Sequence, residues 1–169
     1  SGRGLDVPIT VHLTPHGSRY VLVDGRHRLE AHRLMGAMEI QAIVRPATDY
    51  NSIRVSQLTA NLHRREMLAI EEAEAVGLLL QICADVSYCA THEGAAEDPV
   101  GHVAGLLGQT LTWVRQRMYA SRLSPQVREL ARVAELPAGH LRELARIGDI
   151  VQQWRTANEC CRLSGGAHT

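Results

Sequence analysis

The run from Tyr20 to Gly36, YVLVDGRHRLEAHRLMG, constrains this chain more than any other stretch. Tyr20 to Val23 is apolar and partly β-branched, which predicts a strand, and Asp24-Gly25 ends it. A helix follows, with Leu29, Leu34 and Met35 as its expected apolar anchors and Gly36 as its stop. Gly25 carries no Cβ, so a ligand can approach the backbone closely there. Arg26, His27 and Arg28 crowd the first helical turn, where the dipole is already positive and each cation costs about 0.3–1 kcal/mol. An anion seated on free N–H groups and guanidinium forks explains such a turn. Arginines merely solvated in a loop are the alternative, because short basic motifs recur by chance.

The flanking residues extend the pattern. Val7–Leu13 reads as a strand, Pro15–Ser18 as a turn and Arg19–Val23 as a second strand. Ile40–Val44 is a third, closed by Pro46; with the preceding strand and helix it predicts a parallel βαβ unit. A helix from Ser52 to Leu62 comes next, with Asn51 as its cap and Val55, Leu58 and Leu62 on one face. Asn61-Leu62-His63-Arg64-Arg65-Glu66 is polar and basic, and an apolar-periodic helix is expected over Ile70–Cys89. Basic residues near a helix C-terminus need no ligand, since they meet the last carbonyls. Two basic motifs in one small domain point instead to a bound phosphate.

The second strong signal lies at about 99–122. Thr91–Asp98 is acidic and polar, a surface loop and a candidate hinge. Pro99 opens a helix, Gly108 breaks it, and a second helix is expected over Thr110–Arg122. Small Ala104, Gly108 and apolar Val114 have helix-turn-helix spacing: close crossing, turn and seal. An ordinary αα-hairpin is the alternative. On the second helix Thr110, Thr112, Trp113, Gln116 and Arg117 are the outward candidates, although Trp113 also suits a core. Gln and Arg make bidentate contacts to adenine and guanine edges, and Arg115, Arg122 and Arg128 suit phosphates. Ser124-Pro125 starts a helix to about Ala134. Pro137 starts another through Ile147, Asp149–Leu163 is the last, and 164–169 is a frayed tail.

Charge separates the two halves. Residues 1–99 hold 9 Arg against 13 acids, whereas residues 100–146 hold 7 Arg against 3, so the basic half is the candidate nucleic-acid face. All basic side chains are Arg, which suits bidentate phosphate and guanine contacts. No apolar run reaches the ~18 residues of a membrane span, and no signal peptide opens the chain. Cys83, Cys89, Cys160 and Cys161 lack CxxC spacing and read as reduced thiols in a cytoplasmic protein.

Together these motifs resemble the ParB/sulfiredoxin-like superfamily. Gly25, Arg28 and Ala31 match the G-E-R-R-x-x-A motif of partition proteins, with Arg26 and His27 in place of its Glu and first Arg. The sulfiredoxin motif G-C-H-R is similar too, but its reactive Cys position is Arg26 here. Asn61 and Arg64 match E-N-x-x-R, whose Glu is Ala60, and Gly139-His140-x-Arg142 resembles G-H-A-R. The resemblance implies an α/β (α+β) ParB/sulfiredoxin-like domain over 1–68 and an all-α helix-turn-helix domain over 69–163. It implies a nucleoside triphosphate, CTP, on Gly25, Arg26, His27, Arg28, Asn61 and Arg64, with Asn61 also on Mg²⁺. It implies double-stranded DNA, a homodimer and a partition ATPase as partners of a nucleoid-associated cytoplasmic protein. With Ala60 and His27 at two motif positions, hydrolysis is expected to be weak or absent, and no residue is assigned to catalysis. The family's extended segment before the first strand and its C-terminal dimerisation domain are missing from this sequence, as in a truncated piece. Antibiotic-pathway transcriptional activators of the streptomycin type resemble Asp24-Gly25-Arg26-His27-Arg28 equally well (D-G-x-H-R). A nuclease or phosphotransfer enzyme using His27, Asp24 and Glu30 is a third reading, without a metal-ligand cluster to support it.

Overall fold

The computed structural model describes residues 7–14, 16–17, 19–46, 49–63 and 67–165. Three short strands form one sheet: β1 (Ile9–Leu13), β2 (Tyr20–Asp24) and β3 (Ala42–Pro46), in the order β2-β1-β3. β1 lies in the middle, antiparallel to β2 and parallel to β3. The expected parallel βαβ unit is therefore corrected: the strands on either side of the central helix are not neighbours and run in opposite directions. The parallel partner of β3 is β1. Alternation along β1 places Ile9 and Val11 on one face and Thr10 and His12 on the other, and Ile9, Val11 and His12 are all buried.

Helix α1 (Arg26–Leu34) buries none of its residues. Leu34 and Met35 are 81% and 58% exposed, so they are not the anchors that the sequence suggested. Leu29, Leu34 and Met35 step five and then one residue apart, which spreads them around the helix instead of forming a stripe. Polar contacts hold the helix start instead. Arg28 Nη2 lies 2.8 Å from Asp24 Oδ2, and Nη1 donates to the carbonyls of Val7 (2.8 Å) and Pro8.

Helix α2 (Tyr50–Leu62) crosses the sheet, and Gln57 donates to the Leu22 carbonyl at 2.8 Å. Its cap is Asp49, which accepts from Ser52 N at 2.7 Å, rather than Asn51. Asn51 reaches Ser87 Oγ at 3.0 Å. The single helix expected to Cys89 is two, α3 (Ala69–Cys83) and α4 (Val86–Cys89). Asp85 breaks them by accepting from Ser87 N (2.9 Å), the local side-chain bond that competes with helix continuation.

The helical region continues with α5 (Pro99–Leu107), capped by Asp98 and ended by Gly108 at φ +62°, and α6 (Leu111–Arg115), capped by Thr110. The second helix was expected to reach Arg122, but it stops at Arg115 and resumes as a 3₁₀ helix over Met118–Arg122. The Arg117 guanidinium takes the Trp113 carbonyl (3.1 Å), the acceptor that Arg117 N–H would use in a continuing α-helix; that N–H goes to Val114 O instead. Helices α7 (Pro125–Val133, capped by Ser124), α8 (Ala138–Leu144) and α9 (Ile150–Gly165) complete the chain. The expected frayed tail lies largely outside the described residues.

Two apolar clusters share α3 as their common wall. Ile70 and Ala73 pack with Tyr119, Leu123, Val127, Leu141, Leu144 and Ala157. One turn on, Val76, Leu79 and Cys83 pack with Tyr88, Val103, Leu107, Val114 and Val55 of α2. The second cluster thus crosses the expected 68/69 domain boundary. Buried Gln153 ties the first cluster's loops together, accepting from Ser124 N and donating to the carbonyls of Arg122, Leu144 and Ile147.

Candidate nucleic-acid face and nucleotide cleft

Six arginines from α6 to α8 fall into two groups. Arg117, Arg128 and Arg132 turn toward α3: Arg117 Nε lies 2.7 Å from Glu72, and Arg132 and Arg128 lie 2.7 and 3.8 Å from Glu74. Arg115, Arg122 and Arg142 are exposed and, among the described residues, have no ion-pair partner. These three border one groove of about 260 Å³ between the 3₁₀ helix and α8, together with Gln116, Met118 and Arg146. Its floor includes Tyr119, whose hydroxyl donates to the Ala69 carbonyl (2.9 Å) and whose phenol is held above its ordinary pKa mainly by burial. Arg146 is neutralised by Glu143 at 2.8 Å.

The predicted recognition residues sort accordingly. Thr112, Arg115, Gln116 and Arg122 are exposed. The Thr110 side chain caps α6, accepting from Trp113 N at 3.1 Å. Trp113 is half-buried against the second cluster, with the Arg117 guanidinium 3.5 Å over its ring. Arg117 and Arg128 are engaged with α3. Arg142 and Arg146 were not among the site residues read from the sequence. The Gly139-His140-x-Arg142 resemblance marked their segment, but nothing in one sequence shows that α8 faces the 3₁₀ helix.

In the N-terminal domain a second cleft, about 300 Å³, lies between the Thr10/His12 face of the sheet and α2. Asp24 borders it, next to Gly25; Ala60 and His63 border it, on either side of Asn61; Leu106 of α5 reaches it. The chain on either side of the two basic motifs therefore meets at one opening. Arg26, His27 and Asn61 are exposed, Arg28 is tied to Asp24 and the start of β1, and Arg64 lies outside the described residues. Inside, His12 bonds Ser56 Oγ (3.0 Å) and the Pro46 carbonyl (3.2 Å), and buried Thr59 Oγ1 has no hydrogen-bond partner among the described residues. Ser56, Thr59 and Arg45, which also lines the cleft, went unread because their convergence needs the β1–β3 register. Gly25 is demanded by the fold itself: its φ is +101°, and an added Cβ would stand 2.7 Å from Ile9 Cγ2.

A fit to Mg²⁺ is poor on the protein side. Among the described residues no group of three or more His, Cys, Asp or Glu can hold a metal ion. Asn61 offers one neutral oxygen, and its neighbour is Ala60.

A three-stranded α/β unit leading into an all-α unit with a helix-turn-helix-spaced α5–α6 pair defines a class of two-part proteins, and known proteins of that class are similar to this chain. Residues 1–62 match the ParB N-terminal domain model. The chain is 34% identical over 156 residues to the probable chromosome-partitioning protein ParB of Coxiella burnetii, covering 92% of this chain and 48% of that protein. It is 28% identical over 152 residues to the chromosome-partitioning protein Spo0J of Thermus thermophilus, covering 90% and 50%. The chain spans about half the length of the curated relatives it matches. The C-terminally truncated chromosome-partitioning protein ParB from Caulobacter crescentus, solved with the centromeric parS site, shares the fold at a TM-score of 0.62 and 22% identity, covering 94% of this chain and 76% of that one. The chain is ParB-like, and its match to the ParB N-terminal domain model spans residues 1–62.

Proposed function

We propose that this chain is a sequence-specific double-stranded DNA-binding protein of chromosome or plasmid partition, or of nucleoid organisation. The carrying observation is the sorting of arginines: those paired with Glu72 and Glu74 hold α6 and α7 to α3, and Arg115, Arg122 and Arg142, with no ion-pair partner among the described residues, border one exposed groove. In this reading exposed Thr112 and Gln116 contact base edges, and exposed Arg115 and Arg122 contact phosphates. Thr110 and Trp113 frame α6, and Arg117 and Arg128 brace it.

The same reading gives the N-terminal cleft a nucleoside triphosphate, CTP by resemblance to partition proteins. Gly25, Arg26, His27 and Arg28 at the start of α1, with Asn61 and Arg64, contact its phosphates. Mg²⁺ would come with the triphosphate, Asn61 adding one ligand. A nucleotide-favoured homodimer and a partition ATPase are the implied partners at the nucleoid. In this reading ligand binding and DNA binding are coupled, with Leu106 of α5 at the cleft as one point of contact, and any such coupling is reciprocal. Titration with each of the four nucleoside triphosphates, with and without Mg²⁺ and with and without duplex, tests this reading. Selective CTP binding that Arg26→Ala weakens supports it; equal weak binding of all four, unaffected by DNA, contradicts it.

One observation favours a second reading, a transcriptional regulator with a ParB-like domain. The Asp24–Arg28 pair uses both ends of the D-G-x-H-R pattern to fix the helix start. Such a protein binds its DNA without any dependence on triphosphate.

A further inference from the structure

We propose that the groove between the 3₁₀ helix and α8 is a seat for a backbone phosphate of duplex DNA, with Arg142 of α8 closing it opposite Arg115 and Arg122. This rests on the DNA-binding reading and extends the footprint beyond the helix-turn-helix to a segment some 30 residues downstream of Thr112. Three guanidiniums with no carboxylate partner among the described residues border one groove, whereas Arg117, Arg128 and Arg132 nearby are each paired with a carboxylate. Leaving like charges together without counter-charge is unfavourable unless an anion or water takes up the field. Tyr119, buried beneath the groove, adds no negative charge to it, since its neutral hydroxyl donates its proton to the Ala69 carbonyl. Three arginines lining one groove suit an anion such as a phosphodiester, whose oxygens accept charge-assisted hydrogen bonds from guanidinium. Arg146, paired with Glu143, stands at the rim and is not needed for the seat. The wall on the α8 side is rigid because Leu141 and Leu144 are buried in the first cluster and the Leu144 carbonyl is held by Gln153.

The test is a salt series of duplex binding with the full chain, comparing Arg142→Ala, Arg142→Lys and Arg33→Ala. Arg33 sits on α1 and serves as a net-charge control. Arg142→Ala should weaken specific and random duplexes by the same factor and reduce the slope of log K against log salt by about one phosphate's worth. Arg142→Lys should restore the slope, and Arg33→Ala should leave it unchanged. Arg142 is exposed, and unchanged circular dichroism and melting establish that its variants fold. If the parent binds duplex with a steep slope and Arg142→Ala matches it, the seat is wrong and DNA binding stands. The seat also falls if Arg33→Ala flattens the slope as much as Arg142→Ala. If inorganic pyrophosphate binds the groove while the duplex slope ignores Arg142, the groove takes free anions and not backbone. If the parent shows no salt-dependent duplex binding, the DNA reading itself fails and the seat with it.

Discussion

Arg117 Nε stands 2.7 Å from Glu72 Oε2, joining the turn after α6 to the first turn of α3. The N–H is not aimed along a hydrogen bond, so the contact is one of charge. The same guanidinium stacks on Trp113 and donates to its carbonyl. A side chain with three such contacts positions the helix more readily than it reads a base.

Arg117→Ala should therefore destabilise the fold by about 1–3 kcal/mol, from a charge-assisted hydrogen bond and a cation–π contact, and leave base preference intact. Gln116→Ala should do the reverse, relaxing one operator position by about 1–3 kcal/mol at unchanged stability. Thermal melts and a single-base-substituted duplex series check both. An Arg117→Ala protein of full stability and altered preference would make Arg117 the reader.

Gly25→Ala forces a side chain into a left-handed backbone and against Ile9. The expected loss is about 1–3 kcal/mol, which lowers Tm by about 2–4 °C per kcal/mol for a chain of this size. Melting measures it without any ligand, because the requirement comes from β1 packing. An unshifted Tm would mean that the turn relaxes freely.

Stability should fall on both sides of neutrality through one cluster. The rings of Tyr88 and His92 stack at 3.9 Å, and the Tyr88 hydroxyl lies 3.2 Å from His102 Nε2. Burial, helped by the His92 charge, lowers the His102 pKa below 6.5. The folded state therefore favours neutral His102, whose contribution is complete above pH 6.5 and is lost as pH falls through the depressed value. Burial pushes the Cys83 thiol from 9.0 up to about 11, so its contribution is complete below pH 9.0 and lost as pH rises toward 11. Melting as a function of pH should show both limbs. His102→Gln should flatten the acid limb alone; an unchanged acid limb would place its cause elsewhere.

How much of this was legible in the sequence depends on the range of each interaction. The Asp24-Gly25 break, the Ser124 and Thr110 helix starts and the Gly108 turn follow from local backbone chemistry, and the structure has them all. Sheet order was not legible, because β1 pairs with β3 across some 30 residues and no periodicity encodes which neighbour a strand takes. The end of α6 was hidden for a similar reason: a long arginine side chain, not a Gly or Pro, claims the carbonyl. Residue types for the basic face could be read, but the division between Arg117 and Arg122 depends on where Glu72 stands.

Nucleotide hydrolysis should be weak or absent, since Ala60 supplies no carboxylate beside Asn61 and His27 stands where the resembling motif has an arginine. Phosphate release by the pure protein, with and without duplex, measures it. Robust release abolished by Asn61→Ala would establish a nucleotidase.

Duplex binding of Arg122→Ala and Arg132→Ala, followed by anisotropy across a salt series, separates the unpaired arginines from the paired ones most directly. Arg122, with no ion-pair partner among the described residues, should lower the magnitude of the slope of log K against log salt by about 0.9 when replaced, the share of one phosphate contact. Arg132, bound to Glu74 and Glu129, should leave the slope unchanged and lower the melting temperature instead. Equal slopes for both variants and the parent, or no salt-dependent binding by any of them, would contradict a DNA face on this side of the molecule.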